Sequence, residues 1–367
     1  MHARTLAIFS DRHGLSVDSI QLNRTLRFHK LVLISRLSVM EYTNLGRTGL
    51  SVSRLCLGTM NFGPETDEPT SHAIMDRALD VGLNFFDTAN RYGAPQHGRT
   101  EEIMGRWFAK GGGRREKVVL ATKLYGEMSG FGDIPLWPNN KWLSALNIKR
   151  ACDASLKRMQ TDYIDLYQMH HIDRTTPWEE IWQAMELLVQ QGKILYVGSS
   201  NFAGWHLLQA QHAAEKRNFL GLVSEQSFYN LVVRDIEREL IPAAQHLGIG
   251  ILPWSPLHAG MLGGVIKKVK EGKRRLEARS AETLEKIRPQ VEKWEALCDS
   301  WNLLPGDVAL AWLLHQPAIT APIIGPRTME QFDASLRALE IKLSDEQLTA
   351  IHEIFPGCKP HPEQYAW

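Results

Sequence analysis

The sequence predicts a (β/α)8 TIM barrel, an α/β fold in which eight parallel strands alternate with helices. From Met40 onward, short apolar runs alternate with amphipathic stretches, a pattern typical of repeated strand and helix units. Eight such runs can be counted, and all but the last follow the preceding run after about one strand–helix unit. An open doubly wound sheet would carry a GxGxxG fingerprint after its first strand, and this fingerprint is missing. These three observations favour the closed barrel.

Composition and charge narrow the classes of function. Of 367 residues, 23% are charged and 44% are hydrophobic, which is ordinary for a globular protein and excludes collagen-like or disordered chains. Lys and Arg number 42 against 41 Asp and Glu, so no strong field favours nucleic acid or a membrane surface as a partner. No apolar run approaches the roughly 18 residues of a membrane helix. The four cysteines lie far apart, which opposes a disulfide framework and fits a cytoplasmic location.

Residues 1–40 are predicted to be a disordered extension upstream of a start at Met40. They carry six basic and two acidic residues, without the apolar segment and small-residue cleavage site of a secretory signal. An organellar transit peptide has a similar composition and stays open as an alternative. We expect one barrel domain over residues 41–367, and the sequence carries no signal for its oligomeric state.

The first strand–helix unit is the clearest of the eight. Leu55–Met60 predicts a strand, and Ser71–Val81 predicts a helix in which Ile74 and Ala78 share one face. Gly82 then supplies the helix stop.

Seven further apolar runs predict the remaining strands. They are Asn84–Asp87, Val118–Thr122, Tyr163–Gln168, Ile194–Gly198, Leu222–Glu225, Ile249–Pro253 and Ala321–Ile324. Extra helices are expected before the last strand and at the C-terminus. One of them, Ala281–Trp301, is charged and predicted to be surface-like, and the next begins at Pro305, since proline suits the first turn of a helix.

Polar residues follow the predicted strands at the end where reactive groups gather in such barrels. Asp87 and Tyr92 follow the second strand, Lys123 ends the third, and His170 follows the fourth. Each has an ordinary alternative explanation, because aspartates form turns, buried histidines pack in cores and lysines are usually solvated. Together, however, these four residues converge on one rim of the barrel.

The chemistry available at this rim is proton donation to a developing alkoxide. A tyrosine with a pKa of about 10 is a poor acid unless a nearby cation such as Lys123 favours its phenolate. Burial would deprotonate Lys123, so a carboxylate such as Asp87 is needed to keep it charged. His170 could hydrogen-bond the substrate oxygen. The set suits carbonyl reduction, although Lys123 could instead form a Schiff base, as in barrel aldolases.

Four sequence segments occur in an order that resembles a known enzyme family. They are Phe86–Gly93, Thr122–Lys123, Asp165–His170 and Gly198–Phe202. On these motifs, residues from about 41 to 360 resemble the aldo-keto reductases. The resemblance implies a catalytic tetrad of Asp87, Tyr92, Lys123 and His170. It also implies that hydride passes from NADPH to an aldehyde or ketone while Tyr92 protonates the oxygen.

The resemblance further implies a cofactor site without a Rossmann fold. Ser200, Asn201 and Gln226 would hold the nicotinamide carboxamide. Trp254, where the family often has tyrosine, would stack on the nicotinamide ring. A core tryptophan beneath the barrel mouth is the alternative for this residue.

Two segments are expected along the cofactor phosphates. In the first, contacts would come from Ser255, Leu257, Gly260 and Leu262. Glycine at such a position permits a close approach of the backbone.

The second segment ends the last strand and opens a helix, whose N-terminus attracts anions. Gly325, Arg327 and Gln331 are expected to bind the cofactor there, with Thr328 and Gln331 spaced as a capping box. Arg327 matches the 2′-phosphate, so NADP is preferred over NAD, although an ordinary surface arginine is the alternative. Ser335 aligns with a family asparagine that contacts adenine.

No metal site is expected. The chain lacks HxH and HExxH spacings, and the adjacent residues His170 and His171 would point to opposite faces of a strand. The long loop Leu124–Leu146 carries Phe131, Trp137 and Trp142, which could stack on a substrate or simply fasten the loop to the barrel.

Two further questions of function stay open at this stage. The chain is also similar to bacterial members that reduce keto-sugar nucleotides, although the motifs define only the shared carbonyl chemistry. A second class of protein shares this barrel, namely the voltage-gated potassium channel β-subunits, which retain NADP and act mainly by binding a membrane partner. A regulatory NADP-binding subunit with little turnover is therefore the alternative function.

Overall fold

The described residues of the computed structural model, 40–128, 137–272 and 278–366, contain a short hairpin and an eight-stranded parallel barrel. In the hairpin, β1 (Tyr42–Asn44) pairs antiparallel with β2 (Ser51–Ser53). The barrel strands are β3 (Cys56–Gly58), β4 (Phe85–Asp87), β5 (Val119–Leu124), β6 (Ile164–Met169), β7 (Ile194–Ser200), β8 (Leu222–Phe228), β9 (Gly250–Trp254) and β10 (Ile323–Ile324). The predicted extension over residues 1–40 lies outside the described residues, apart from Met40.

The eight barrel strands pair in parallel in chain order, and β10 returns to pair with β3. Between β9 and the chain leading into β10, Ile251 bridges Ile319, and the Thr320 amide donates to the Ile251 carbonyl at 2.9 Å. The sheet is therefore a nearly closed barrel. All eight predicted strands and the TIM-barrel fold class are confirmed.

Helices surround this sheet. They are α1 (Glu68–Asp80), α2 (Arg99–Phe108), α3 (Ala145–Met159), α4 (Trp178–Gln190), α5 (Gly204–Glu215), α6 (Leu240–Leu247), α7 (Val265–Lys270), α8 (Ala278–Ser300), α9 (Pro305–His315), α10 (Met329–Leu336), α11 (Asp345–Ile354) and α12 (Glu363–Ala366). Short 3-10 helices occupy Asp235–Glu237 and Arg337–Glu340. Within the described part of the chain, no helix combines the length and the apolarity needed to cross a bilayer.

Local capping explains where the first helix begins and ends. Helix α1 starts three residues before the predicted position, because the Asp67 side chain accepts a hydrogen bond from the Thr70 amide at 2.9 Å. Gly82, with φ of +82°, follows its last turn as predicted. The expected proline start of α9 at Pro305 is also confirmed.

The prediction that α8 is surface-like is wrong for one of its faces. Leu284, Val291 and Trp294 are buried, and the Trp294 indole donates to the Leu262 carbonyl at 3.2 Å. Glu295 accepts the amide of Ile266 at 2.7 Å. The charged residues of α8 mask this apolar stripe in the sequence, and the stripe fastens the chain that follows β9.

The hairpin was not predicted, and it lies where the barrel strands begin. Arg47 donates to the carbonyl of Leu222, the first residue of β8, and Arg54 donates to the carbonyl of Thr320, just before β10. Gly46 has φ of +55°, and a Cβ there would lie 2.5 Å from a backbone oxygen of β8. The hairpin therefore packs at the end of the barrel opposite to the carboxyl ends of the strands.

Candidate active site

The inward-facing rows of the strands carry polar residues to one end of the barrel. Asp87 follows Phe85 by two residues on β4, and Lys123 follows Ala121 by two residues on β5. Phe85 and Ala121 belong to the buried cluster that also contains hairpin residues. Since side chains alternate with a period of two, Asp87 and Lys123 lie on the same inner face.

Lys123 is the centre of the site. Its Nζ lies 2.6 Å from Asp87 Oδ1, 2.8 Å from the Thr88 carbonyl and 3.3 Å from Tyr92 Oη. Lys123 is fully buried and Asp87 is 2% exposed. Burial opposes the charge of Lys123, but the charge of Asp87 and the hydrogen bonds to Asp87 and Tyr92 outweigh this effect, so the pKa of Lys123 is raised. The ammonium is thus held charged within reach of the phenol.

The second oxygen of Asp87 is held by two amides. Gln168 and Gln226 each donate from Nε2 to Asp87 Oδ2 at 2.9 Å. These two donors and Lys123 together hold both carboxylate oxygens. Gln226 was predicted as a cofactor contact, and here its amide nitrogen also supports Asp87. Gln168 had no predicted role. A polar residue near the end of the apolar strand β6 is the sequence signal that could have identified it.

Tyr92 lies on the turn after β4, where its amide donates to the Ala89 carbonyl at 3.1 Å. The loss of solvation raises the pKa of the Tyr92 phenol above its usual value, and Lys123 acts in the opposite direction. At neutral pH the phenol therefore carries its proton. Lys123 also lies 4.9 Å from the centre of the Tyr92 ring.

His170 follows β6 and faces the edge of Tyr92, with ring centroids 6.0 Å apart at 81°. Burial, reinforced by the positive charge of Lys123, lowers the pKa of His170 to about 2. The imidazole is therefore neutral at physiological pH, with one N–H to donate and one nitrogen to accept.

The prediction that His170 and His171 point to opposite faces is wrong. Their rings stack, with centroids 5.1 Å apart and planes 3° apart. The pair lies beyond Met169, the last residue of β6, so strand alternation does not apply to it. No group of three or more His, Cys, Asp or Glu side chains in the described ranges is placed to hold a metal ion.

The predicted nicotinamide contacts lie across the ends of β7 to β9. Asn201 has φ of +58°, and its Nδ2 donates to the His170 carbonyl at 3.1 Å. Trp254 Nε1 donates to Asn201 Oδ1 at 3.1 Å, and Ser200 Oγ donates to the Gln226 carbonyl at 2.8 Å. These bonds, two of them to backbone carbonyls, link the ends of β6, β7, β8 and β9. Gln226, which also donates to Asp87, connects the predicted cofactor contacts to that carboxylate.

Trp254 is partly exposed and has an aromatic support. Phe228 stacks on it, with centroids 4.4 Å apart and planes 14° apart, and His258 also stacks on Phe228, with centroids 5.7 Å apart. Phe228 was not singled out in the sequence. This stacking holds the Trp254 ring in one orientation. Because Trp254 is partly exposed, it differs from a core tryptophan, which would be fully buried.

Glu225 is a second buried carboxylate that the sequence analysis missed. It accepts hydrogen bonds from Ser199 Oγ, from Ser227 Oγ at 2.7 Å and from the Phe202 amide at 3.1 Å. Burial raises the pKa of Glu225 to about 7. These bonds hold the turn on which Asn201 lies.

The chain after β9 carries the first group of predicted phosphate contacts. Ser255 and Gly260 both have positive φ, of +52° and +82°. Ser255 Oγ accepts the Ala259 amide at 3.1 Å, Leu257 is half-buried, and Leu262 is buried beneath α8. These bonds fold the segment into tight turns immediately beyond Trp254.

The second group of predicted phosphate contacts lies at the start of α10. The Thr328 hydroxyl accepts the Gln331 amide at 3.3 Å, as the capping-box spacing predicts. The reciprocal bond differs from the prediction, because Gln331 Oε1 accepts the Arg327 amide at 2.8 Å, one residue before the cap. The carbonyl of Gly325 accepts from Asn61, and the Ser335 hydroxyl donates to the Gln331 carbonyl at 3.0 Å.

Arg327 is exposed beside a carboxylate. Its Nη1 lies 3.5 Å from Glu65 Oε2, and both side chains are about half exposed. An exposed pair of this kind contributes little to stability, so the guanidinium remains available to an anion.

The long loop after β5 is described only in part. Phe131 lies in the segment 129–136, outside the described residues. Trp137 and Trp142 are both exposed, and the Trp142 amide donates to the Tyr125 carbonyl at 2.7 Å. The suggested stacking of these tryptophans on a substrate therefore stays a prediction.

Comparisons with known proteins identify the family. The model for the "Aldo/keto reductase family" matches residues 54–355. The chain is 56% identical to an uncharacterized oxidoreductase, YrpG, of Bacillus subtilis, over 89% of this chain and 100% of that protein. It is 32% identical to versiconal hemiacetal acetate reductase of Aspergillus parasiticus, over 88% of this chain and 99% of that protein. It is also 31% identical to a probable voltage-gated potassium channel subunit beta of Arabidopsis thaliana, over 89% and 100%.

The family model covers most of the chain, and the relatives align over nearly their full length. The family resemblance noted in the sequence is thereby confirmed. The chain belongs to the aldo/keto reductase family and is an oxidoreductase.

Proposed function

We propose that this protein reduces an aldehyde or ketone to an alcohol with NADPH, and that Tyr92 donates the proton. One observation carries the proposal: the buried ammonium of Lys123 lies between Asp87, at 2.6 Å, and the phenol of Tyr92, at 3.3 Å. A cation beside a phenol stabilises the phenolate that remains once the proton has left.

This geometry supports protonation of the product oxygen by Tyr92. Tyr92 holds its proton at neutral pH, because the loss of solvation raises its pKa. As negative charge develops on the carbonyl oxygen, Tyr92 Oη gives up its proton to that oxygen. Lys123 then stabilises the tyrosinate, and Asp87 keeps Lys123 charged. Proton transfer of this kind is worth about 10² to 10⁴ in rate.

His170 complements Tyr92 as a neutral hydrogen-bond donor. Its low pKa prevents the imidazolium from forming, so it can orient the substrate oxygen without competing as an acid. A preorganised neutral donor at a developing oxyanion lowers the barrier without reorganisation of the site. We therefore propose catalytic roles for Asp87, Tyr92, Lys123 and His170.

The residues present fit a nicotinamide cofactor, which when bound supplies a hydride to the carbonyl carbon. Trp254 offers a partly exposed aromatic face that Phe228 and Asn201 hold in place. Ser200 and Gln226 add hydroxyl and amide groups of the kind that recognise a carboxamide. We propose that these residues, apart from Phe228, bind the nicotinamide end.

We propose that the phosphates lie along the segment after β9 and at the start of α10. The proposed contacts are Ser255, Leu257, Gly260, Leu262, Gly325, Arg327 and Gln331. An exposed arginine beside a helix N-terminus suits a phosphomonoester, which supports NADP over NAD.

A Schiff-base mechanism is less consistent with the site. Attack on a carbonyl requires an uncharged amine, and Asp87 and Tyr92 raise the pKa of Lys123. Lys123 Nζ also donates to three oxygens, which leaves it poorly placed as a nucleophile. Reduction therefore remains the proposed reaction.

A regulatory role is the second candidate, because two plant relatives at 31% and 32% identity are described as probable voltage-gated potassium channel subunits beta. Other relatives are described as versiconal hemiacetal acetate reductase and norsolorinic acid reductase. We propose a cytoplasmic enzyme acting on a small carbonyl compound, and a keto-sugar nucleotide belongs among the substrates to be tested.

Turnover separates the two candidates. We expect the protein to consume NADPH with aldehydes, ketones or a keto-sugar nucleotide, measured by the loss of NADPH absorbance. Bound NADPH with negligible turnover across the whole panel would favour the regulatory subunit. Failure to bind NADPH or NADH would contradict both.

A further inference from the structure

Arg91 lies immediately before Tyr92, on the turn after β4, and its side chain is exposed at the mouth of the barrel. Its Nε donates to His97 Nε2 at 3.4 Å. On the other side it lies against Gly126, where a Cβ would come within 2.5 Å of Arg91 Cδ and 3.2 Å of Nη1. The guanidinium is thus held between the turn after β4 and the start of the loop after β5.

Aromatic contacts lead from this position to His170. Tyr125, next to Gly126, meets the edge of His171 with centroids 5.3 Å apart. His171 stacks on His170, and His170 faces the edge of Tyr92. The mouth beside the proposed proton donor is therefore lined by Arg91 and by neutral rings.

No carboxylate among the described residues lies within salt-bridge distance of Arg91. Burial is the main cause of the lowered pKa of His97, His170 and His171, and the charge of Arg91 adds to this shift. The histidines around Arg91 are thus neutral at physiological pH. Within the described part of the chain, the Arg91 guanidinium is thus left without a paired carboxylate at this side of the mouth.

We propose that Arg91 binds a carboxylate or phosphate on the substrate, so that the carbonyl compound reduced by this protein carries an acidic group. This inference rests on the proposed reductase function and specifies its substrate class. Arginine suits such a group because its planar fork can donate two parallel hydrogen bonds to an oxyanion. Arg91 adjoins Tyr92 in the chain, so binding there would bring the carbonyl close to the proton donor.

Arg91 and Arg327 would recognise different anions. Arg327 follows β10 and contacts Glu65, whereas Arg91 follows β4 and packs on Gly126 from the loop after β5. The cofactor phosphates are proposed to lie near Arg327, which leaves Arg91 for the substrate.

The test compares acidic and neutral aldehydes of the same shape. We would measure kcat/KM for 4-carboxybenzaldehyde, its methyl ester and 4-formylphenyl phosphate, with the native chain and with Arg91→Gln. We expect the native chain to prefer at least one acid over the ester, and Arg91→Gln to lower kcat/KM for that acid about 10- to 100-fold, since charged hydrogen bonds are lost. Reduction of the ester should change less than about twofold. The two acids distinguish a carboxylate site from a phosphate site.

Three further variants separate a specific contact from general charge. Arg91→Lys should keep part of the preference, because it retains the charge but not the fork. Gly126→Ala should reduce the preference several-fold, because the new Cβ displaces Arg91 without removing its charge. Arg217→Gln is the matched control, since exposed Arg217 follows α5 at the other end of the barrel and should leave the preference unchanged.

Failure of this inference is distinguishable from failure of the reductase function. If the ester is reduced but the ratio of acid to ester is the same in Arg91→Gln, the inference is overturned and the reductase function stands. If no aldehyde is reduced, a binding measurement tests the inference instead. Calorimetry would measure the binding of 4-(hydroxymethyl)benzoate and 4-(hydroxymethyl)phenyl phosphate to the NADP-saturated protein. Loss of this binding in Arg91→Gln would support the inference, and equal binding or none in both proteins would overturn it.

Discussion

Lys123 Nζ lies 2.6 Å from Asp87 Oδ1 inside the barrel, and the two side chains are almost completely shielded from water. A charge buried in this way is tolerated only when it is paired and hydrogen-bonded. Asp87 has further donors in Gln168 and Gln226, and Lys123 has Tyr92 as a further partner. The proposed catalytic machinery is therefore also a structural unit.

We expect Lys123→Met to destabilise the protein by about 3–5 kcal/mol, because Asp87 would lose its counter-charge in the barrel interior. The double variant Asp87→Asn/Lys123→Met should recover much of this loss, since neither charge remains. Urea unfolding near neutral pH measures both effects, and turnover should be very low in both variants. A double variant as unstable as Lys123→Met would show that the pairing is not what stabilises the site.

Arg327→Gln should weaken NADPH binding about 10- to 100-fold, because a charged contact to the 2′-phosphate is lost. The affinity for NADH, which lacks that phosphate, should hardly change. Glu65→Gln is the matched variant: Glu65 lies 3.5 Å from Arg327 and repels the phosphate, so its loss should strengthen NADPH binding. Fluorescence titration with both cofactors measures these affinities. Equal losses for NADPH and NADH would mean that Arg327 does not read the 2′-phosphate.

Trp254→Ala should raise the Kd for NADPH about tenfold through the lost stacking surface. Trp254→Tyr should bind within a few-fold of the native chain, since the aromatic face stays although the bond from Nε1 to Asn201 is lost. Trp205→Ala removes an exposed tryptophan on α5 and serves as the control in the same titration. Unchanged binding in Trp254→Ala would place the nicotinamide elsewhere.

His170 makes the stability of the fold dependent on pH. Burial lowers its pKa in the folded protein to about 2, from an ordinary value of 6.5. Between these values the unfolded chain binds a proton that the folded protein does not, so stability falls as the pH drops below about 6.5.

His170→Gln should remove this contribution, which amounts to about 1.4 kcal/mol per pH unit over that range. The check is urea unfolding of the native chain and the variant from about pH 4 to pH 7. The slope of the unfolding free energy against pH should be smaller by about one proton in the variant. Identical slopes would mean that folding does not lower the pKa of His170.

The barrel was predictable because its signals are local. Each strand is a short apolar run, and a helix such as α1 carries a regular apolar face and a Gly82 stop. The grouping of Asp87 and Lys123 was predictable for a related reason: both end parallel strands, and the carboxyl ends of such strands share one rim. The order of the four sequence motifs along the chain then supported the resemblance to the aldo-keto reductases.

Features that depend on distant contacts were not predictable. The hairpin strands have three residues each, and Arg47 reaches carbonyls more than 170 residues away. The apolar stripe of α8 is hidden among charges, and the bonds from Gln168 and Gln226 to Asp87 form only once the barrel closes. The stacking of His170 on His171 depends on where β6 ends, a boundary that periodicity locates poorly.

The most direct test of the account is the turnover of Tyr92→Phe with NADPH and a carbonyl compound that the native chain reduces. We predict that kcat falls about 10² to 10⁴-fold, because the ring still packs but the acidic proton is gone. The Kd for NADPH should change less than about threefold, since the proposed cofactor contacts are intact. A variant that reduces the carbonyl compound at the native rate would contradict the assignment of Tyr92 as the proton donor.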